Sequence, residues 1–505
     1  MSHQDTIDVR FESISPAEFF YRNRQMAGFG NPTQAVYSTV RELVENSLDS
    51  CDDAQTLPMI EIEIQSVKSD IVTIKVSDNG AGVPPDQVPQ AFGRVLYGSK
   101  YAQQQKRGTF GLGVTMAILY GQISTDSPVI IHSKTQNSNA ILYRLLVDVK
   151  NNSPIIESME ELQRPYVGTT VIIQLKGDLK RAQDRIIEYI RLSTISTPHA
   201  TLKLRIDDEI HEDLGGSSKT IPAPISPSKP HPRSVDMEVL RRLISTHGKK
   251  NLDEFLQVSF QKIGVRTSAR FLQFMNLSPN KIISELTRDE LSHLAQALRK
   301  YDGFERPDSK CLSIIGKDDF LKSITSVFNT KTAEYSIRGV SEWQGNPFII
   351  EAVLATGDDF PNSDIPTLYR FVNRVPLLYD SSDGILTRVL KRVNWSRYGA
   401  RSSEPIAIFL HLCSTKIPFK AAGKQSLASI PEIEQEASQV LKELGRKLGK
   451  ITARSIRRVR ESKKMREFSK SFRQIARFGT ALSGDDDVPS TDRLVKRLFE
   501  VEPDE

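Results

Sequence analysis

"RELVENSLDS", residues 41–50, sets Glu42, Glu45, Asn46 and Asp49 into an otherwise apolar helical stretch. At about 100° per residue these four side chains fall in one narrow arc, while Val40, Leu43, Val44, Ser47 and Leu48 lie opposite. Two readings are open. The stretch is an ordinary amphipathic helix that shows its acids to water, or it aims carboxylates and an amide at a ligand. The helix alone favours the first, so the decision rests on what surrounds it.

Outward from this helix, read over 33–49, "MIEIEIQSV" (59–67) and "IVTIKVSDNG" (71–80) alternate with period two, as paired strands do. "VGTTVIIQL" (167–175) reads as a later strand of the same sheet, and helix patterns recur at 87–97, 111–121 and 178–193. This mixed α/β layer runs to about residue 220, where "TIPAPISPSKPHPRS" (220–234) is too rich in proline for a helix or a central strand. Residues 235–303 are helical throughout, with short turns. "FIIEAVLATG", "TLYRFVNRVPLLYD" and "EPIAIFLHLCS" then read as strands, with a helix at 383–391 and a long one over 431–478. The expected fold class is α+β, divided into 1–225, 226–304, 305–478 and a tail, 479–505, carrying one short amphipathic helix suited to docking.

Composition is that of an ordinary globular chain of 505 residues. The opening MSHQDTIDVRF lacks the basic start and apolar core of a signal peptide, and no apolar run approaches the roughly 20 residues that span a bilayer, so a soluble intracellular protein is expected. Cys51, Cys311 and Cys413 match no metal spacing and suggest no disulfide framework. Residues 440–478 hold 14 Lys/Arg against 3 Asp/Glu, a local +11 in a chain of net charge +6, so the remainder is near −5. That asymmetry points to an anionic partner, nucleic acid first; a solvated helix face is the plainer alternative.

Two glycine motifs bear on the acidic helix. In "SDNGAGVPP" (77–85), Asp78 follows a strand, where its carboxylate can accept from an exocyclic amine, and Gly80 and Gly82 let a ring lie against bare backbone. A plain turn explains the same residues. "KRGTFGLGV" (106–114) is a glycine-rich loop entering a helix, whose backbone amides and positive helix end suit an anion; it is not a Walker A loop.

Taken in order, Glu-x-x-x-Asn on a helix, Asp-x-Gly-x-Gly after a strand, Gly-x-x-Gly-x-Gly, and Gly168-Thr169 on a later strand resemble the Bergerat ATP-binding fold of gyrase-type topoisomerases, heat-shock-90 chaperones, histidine kinases and MutL proteins. The resemblance implies Glu42 as general base and Asn46 as the Mg²⁺ ligand. It implies adenine contact by Asp78 supported by Thr169, and phosphate contact by Ser99, Lys100 and the run Gly108, Thr109, Phe110, Gly111, Leu112, Gly113, Val114 and Thr115. Cofactors are then ATP and Mg²⁺. Glu45 and Asp49 keep the reading of solvated or merely supporting acids.

Outside the nucleotide motifs, "SISPAEFFYRNRQMAGFGNPTQAVYSTVRELVENSLDS" (13–50), "AFGRVLYGSKY" (91–101) and "HLCSTKIPFKAAGKQSL" (411–427) resemble the B subunits of DNA topoisomerase VI over roughly residues 13–475. That family implies a Bergerat ATPase domain with an N-terminal strap before residue 30. It also implies a helix–two-turn–helix module, in which Arg266 and Arg270 could touch DNA phosphate, and a transducer domain with a long basic helix. Lys424 matches the transducer lysine that reaches the γ-phosphate, with Lys416 and Lys420 as neighbours. One departure stands out: the family pattern places a lysine after Gly-Leu-Gly-Val, where this chain has Thr115.

The expected function is the ATP-hydrolysing subunit of a type IIB topoisomerase, whose dimer closure gates strand passage and relaxation of supercoils. The expected partners are double-stranded DNA and a separate A-type cleavage subunit in an A2B2 assembly, in the cytoplasm and nucleoid, with no membrane. An ATP-dependent DNA clamp without turnover and a MutL-like repair ATPase are the alternatives.

Overall fold

The computed structural model describes residues 13–98, 105–107, 111–163, 165–224, 229–378, 384–400, 405–419, 427–484 and 487–491. After α1 (Pro16–Arg22), Asn31 starts α2 (Pro32–Asp53): its side chain accepts from the Gln34 amide at 2.8 Å, and Pro32 takes the first helical position, where no donor is needed. Next come β1 (Met59–Lys68), β2 (Ile71–Ser77), α3 (Val88–Gly93), α4 (Gly113–Thr125), β3 (Val129–Lys134), β4 (Ala140–Asp148), β5 (Ser153–Leu162), β6 (Gly168–Lys176), α5 (Leu179–Ser196), β7 (Thr201–Ile206) and β8 (Glu209–Leu214).

The strands form one eight-stranded sheet in the order β5-β4-β3-β6-β2-β1-β7-β8, antiparallel except where β1 meets β7. β2 buries every second side chain, so one face of the sheet packs on α2, α4 and α5, and the other stays open. The alternation in β1 and β2 predicts these strands correctly. β3–β5 and β7–β8 escaped the sequence reading, and the helix expected over 87–97 shortens to α3 because Arg94 turns extended.

Four helices follow: α6 (Met237–His247), α7 (Leu252–Ser259), α8 (Val265–Met275) and α9 (Arg288–Lys300). They enclose their own core of Leu240, Phe255, Leu256, Phe271, Leu272, Leu294 and Leu298. α9 begins with a reciprocal cap between Thr287 and Glu290.

The third part contains α10 (Lys317–Val327), β9 (Thr332–Ile337), β10 (Ser341–Trp343), β11 (Asn346–Thr356), β12 (Thr367–Val372), β13 (Val375–Pro376), α11 (Ile385–Arg392), β14 (Ile406–Ser414) and α12 (Pro431–Ser483). Its sheet runs β10-β11-β14-β12-β13, with β9 also on β11. β11 and β14 are continuous apolar runs because both faces are covered. One face packs on α11 and on Ile433, Ala437, Val440, Leu441, Leu444 and Leu448 of α12. The other packs on α10 and on the end of α5, where Leu192 and Ile195 leave the first core for the second. Burying each of these two side chains is worth about 1.5–3 kcal/mol, so α5 fastens the two sheets together through apolar contact.

Candidate active site

β2 delivers Asp78 to the end of the first sheet, and three groups fix its carboxylate. Oδ1 accepts from the amides of Gly80 (2.9 Å) and Thr169 (3.2 Å), and Oδ2 accepts from the hydroxyl of Ser47 (2.9 Å). The Asp78 amide in turn donates to the Thr169 carbonyl at 2.9 Å. The close crossing of β2 and β6 needs Gly168, whose φ is 137° and where a Cβ would come within 2.0 Å of the Asp78 carbonyl oxygen. Asp78 is thus an oriented, largely buried acceptor beside Thr169, with Gly80 and Gly82 following it in the chain.

Glu42 lies one helical turn before Asn46 on α2. It is only 6% exposed, whereas Asn46 is half-buried. The first turn of α4 abuts Glu42: a Cβ on Gly113 would fall 1.7 Å from Glu42 Oε2. α4 has no side-chain cap, so its positive end is directed at this carboxylate. Arg41 pairs with Glu42 and sits 3.5 Å from Glu45. Burial works against the Arg41 charge, but the two carboxylates outweigh it and raise its pKa.

Of the two readings open for Glu45 and Asp49, the solvated one fails and the supporting one stands. Both are about 1% exposed. Asp49 accepts from Arg107 Nη1 at 3.1 Å, and the same nitrogen reaches Asp52 Oδ2 at 2.8 Å, while His199 Nε2 meets Asp52 Oδ1 at 2.8 Å. Burial pushes the Asp52 carboxyl up, yet Arg107 and His199 together hold it well below the usual carboxylate range. The acidic arc of α2 therefore turns inward against two arginines. A pattern of faces cannot show this, because the arginine that answers Asp49 lies far along the chain. Ser47, assigned to the apolar side, is the second omission: its hydroxyl is the only cue to its bond with Asp78.

The structure brings Glu42 to Gly113, and Asp78 to Gly80, Thr169 and Ser47. Gly111 adopts a left-handed φ of 58°, Leu112 and Val114 pack on the first core, and Thr115 is buried in the first turn of α4. Ser99, Lys100, Gly108, Thr109, Phe110, Lys420 and Lys424 lie outside the described residues. Arg266 and Arg270 are exposed, four residues apart on α8, away from this site. Of the expected strap, α1 and residues up to 30 pack on the first core of their own chain.

The arrangement offers a carboxylate at a helix N-terminus, an amide oxygen one turn on, and a fixed carboxylate acceptor beside glycine backbone. Such a set can seat an anion, a hard cation and an amine-bearing ring. Among the described residues no cluster of three or more His, Cys, Asp or Glu side chains is arranged to hold a metal ion.

A family model described as "Histidine kinase-, DNA gyrase B-, and HSP90-like ATPase" matches residues 31–178, and one described as "Topoisomerase VI B subunit, transducer" matches residues 307–465. Over 475 residues the chain is 39% identical to a protein named as the B subunit of type 2 DNA topoisomerase 6 from Saccharolobus islandicus (strain Y.N.15.51), covering 93% of this chain and 90% of that one. It is also 39% identical over 462 residues to the protein of the same name from Saccharolobus solfataricus, covering 90% and 87%. Among solved structures, the Aquifex aeolicus MutL ATPase domain complexed with ADP superposes with a TM-score of 0.34 at 15% identity, over 80% of this chain and 96% of that one, which is too loose to bear on function.

Proposed function

The chain belongs to the family of type 2 DNA topoisomerase 6 B subunits, and from that premise we propose that it binds and hydrolyses ATP to drive DNA strand passage. It works with double-stranded DNA and an A-type subunit that cuts it. The observation that carries the reading is the meeting of Glu42 with the open N-terminus of α4 at Gly113, since it sets a base beside a phosphate-binding helix end.

On this reading Asp78 accepts from the adenine amine, its carboxylate already turned by Ser47 and Gly80, while Thr169 backs it. Glu42 takes the proton of the attacking water, and Arg41 holds its Oε1. The backbone from Gly108 to Thr115, with Ser99 and Lys100, cradles the phosphates. The residues present fit Mg²⁺: the half-buried Asn46 is the one amide head on this stretch of α2, and this ion is held by few protein ligands together with phosphate oxygens and water. When bound, it would neutralise charge on the phosphates. Lys424 is assigned to the γ-phosphate by its motif.

We further propose the division 1–225 (ATPase), 226–304 (helix–two-turn–helix), 305–478 (transducer) and 479–505 (tail), a homodimer of this chain inside an A2B2 tetramer, and a place in the cytoplasm on the nucleoid. Among the described residues no helix is long and apolar enough to cross a membrane. Arg266 and Arg270 on α8 and the basic half of α12 are the DNA-facing candidates.

The test is ATP hydrolysis with and without supercoiled DNA and the cutting subunit. DNA-stimulated hydrolysis and ATP-dependent relaxation are expected. Nucleotide binding with no hydrolysis under any of these conditions would make the chain a clamp and overturn the reading.

A further inference from the structure

Gln105, Lys106 and Arg107 are three consecutive residues whose side chains reach two different bodies. Arg107 holds α2 through Asp49 and Asp52, and Lys106 pairs with Asp53 on the same helix. Gln105 points the other way. Its Nε2 donates to Cys413 Sγ on β14 at 2.8 Å, and its Oε1 accepts from the Ser313 amide at 2.9 Å. Gln105 has a φ of 59°, a left-handed conformation that its Cβ disfavours and that contacts on both sides must hold.

These contacts belong to a closed circuit. Ser313 and Ile314 accept from Arg374 Nη2 (3.4 and 2.7 Å), and the Arg374 amide donates to His411 Nε2 at 3.0 Å. His411 is bonded through Nδ1 to Glu351 at 2.8 Å. The Arg374 carbonyl accepts from Ser196 Oγ at 2.7 Å, at the end of α5, and three residues on, His199 returns to Asp52. Among the described residues the two sheets are joined by α5, with its apolar end in the second core and Ser196 bonded to Arg374, by Leu378, which packs on both cores, and by the side chain of Gln105.

We propose that Gln105 is a positioning residue that couples α2, held by Arg107 through Asp49 and Asp52, to the setting of the second sheet relative to the first. The inference rests on the nucleotide reading given above. α2 carries Glu42 and Asn46, and two residues back from the arginine that holds this helix is a bond to β14. By reciprocity, a ligand that favours one setting of the sheets is itself bound more tightly in that setting.

The test uses the full chain with Glu61→Cys on β1 and Lys322→Cys on α10, both outside the buried cores, spin-labelled and diluted with unlabelled protein; the native cysteines are buried. Pulsed dipolar spectroscopy reads the distance distribution between the sheets with and without a non-hydrolysable ATP analogue and Mg²⁺, and calorimetry reads binding of the same analogue. In the otherwise wild-type chain the analogue shifts the ratio of two distance populations. In Gln105→Ala and Gln105→Met that shift shrinks between about twofold and thirtyfold, the range single residues contribute to coupling, while the melting temperature stays put. An undiminished shift in both variants, or no shift in the parent despite measured binding, overturns the inference. Failure of the parent to bind the analogue instead overturns the nucleotide reading, and this inference with it.

Discussion

Glu42 is confined on two sides, by Arg41 and by the backbone of Gly113. Glu42→Ala removes the proposed base and leaves the Asp78 cluster intact. Hydrolysis should fall by about 10²-fold or more with nucleotide affinity retained, as measured by steady-state turnover beside calorimetry; wild-type rates would remove Glu42 from the role. Gly113→Ala is a finer probe. The added Cβ cannot coexist with the present position of Glu42 Oε2, 1.7 Å away, so the carboxylate has to swing aside. A displacement of that size costs up to about 10²-fold in rate, and the expected result is slow turnover together with a lower melting temperature, because the buried Arg41–Glu42 pair is disturbed.

Among elements, α5 has the task of connecting two cores. Ile195 is fully buried in the second cluster beside Phe320 and Phe371, so Ile195→Ala should cost about 2–4 kcal/mol; chemical denaturation followed by far-ultraviolet dichroism measures it, and a loss below about 1 kcal/mol would mean the site collapses around the gap. The element scale also shows where sequence reading succeeds. β1 and β2 each have one face on the core, and their alternation is visible; β11 and β14 announce themselves as apolar runs. β5 is an edge strand with Ile155, Ile156 and Met159 exposed, so its side chains carry no alternating signal. In the same way, periodicity places Glu42 and Asn46 on one face of α2 but not which way that face turns. The direction follows from Ser47 meeting Asp78 and Asp49 meeting Arg107, contacts between residues 31 and 58 positions apart.

For the whole molecule, acid should act through histidine before it acts through carboxylate. His199, His231 and His411 are buried, and burial lowers the pKa of each against the pull of Asp52, the Glu305 carbonyl and Glu351 respectively. Above about pH 6.5 these rings are neutral folded or unfolded and contribute no pH dependence. Below it the unfolded chain binds protons that the native chain refuses, so stability declines by up to about 1.4 kcal/mol per pH unit for each histidine until its native pKa is reached. Asp52, held low, adds its share only below about pH 4. Thermal melts between about pH 7.5 and pH 5, a window that brackets the ordinary histidine value, should show a falling midpoint; a flat profile would mean the rings charge in place.

α12 is rooted in the second core as far as Leu448, and Thr452 still lies against Gly399. From that point to Ser483 it runs on as about 30 residues of helix, roughly 45 Å, with Val459, Ile475 and Phe478 exposed. A rod of that length magnifies angle into distance. A tilt of about 10° at the root would sweep the far end through ~8 Å, so a rearrangement too small to break any bond around Cys413 becomes, at the tip, a stroke comparable to the spacing between two packed helices.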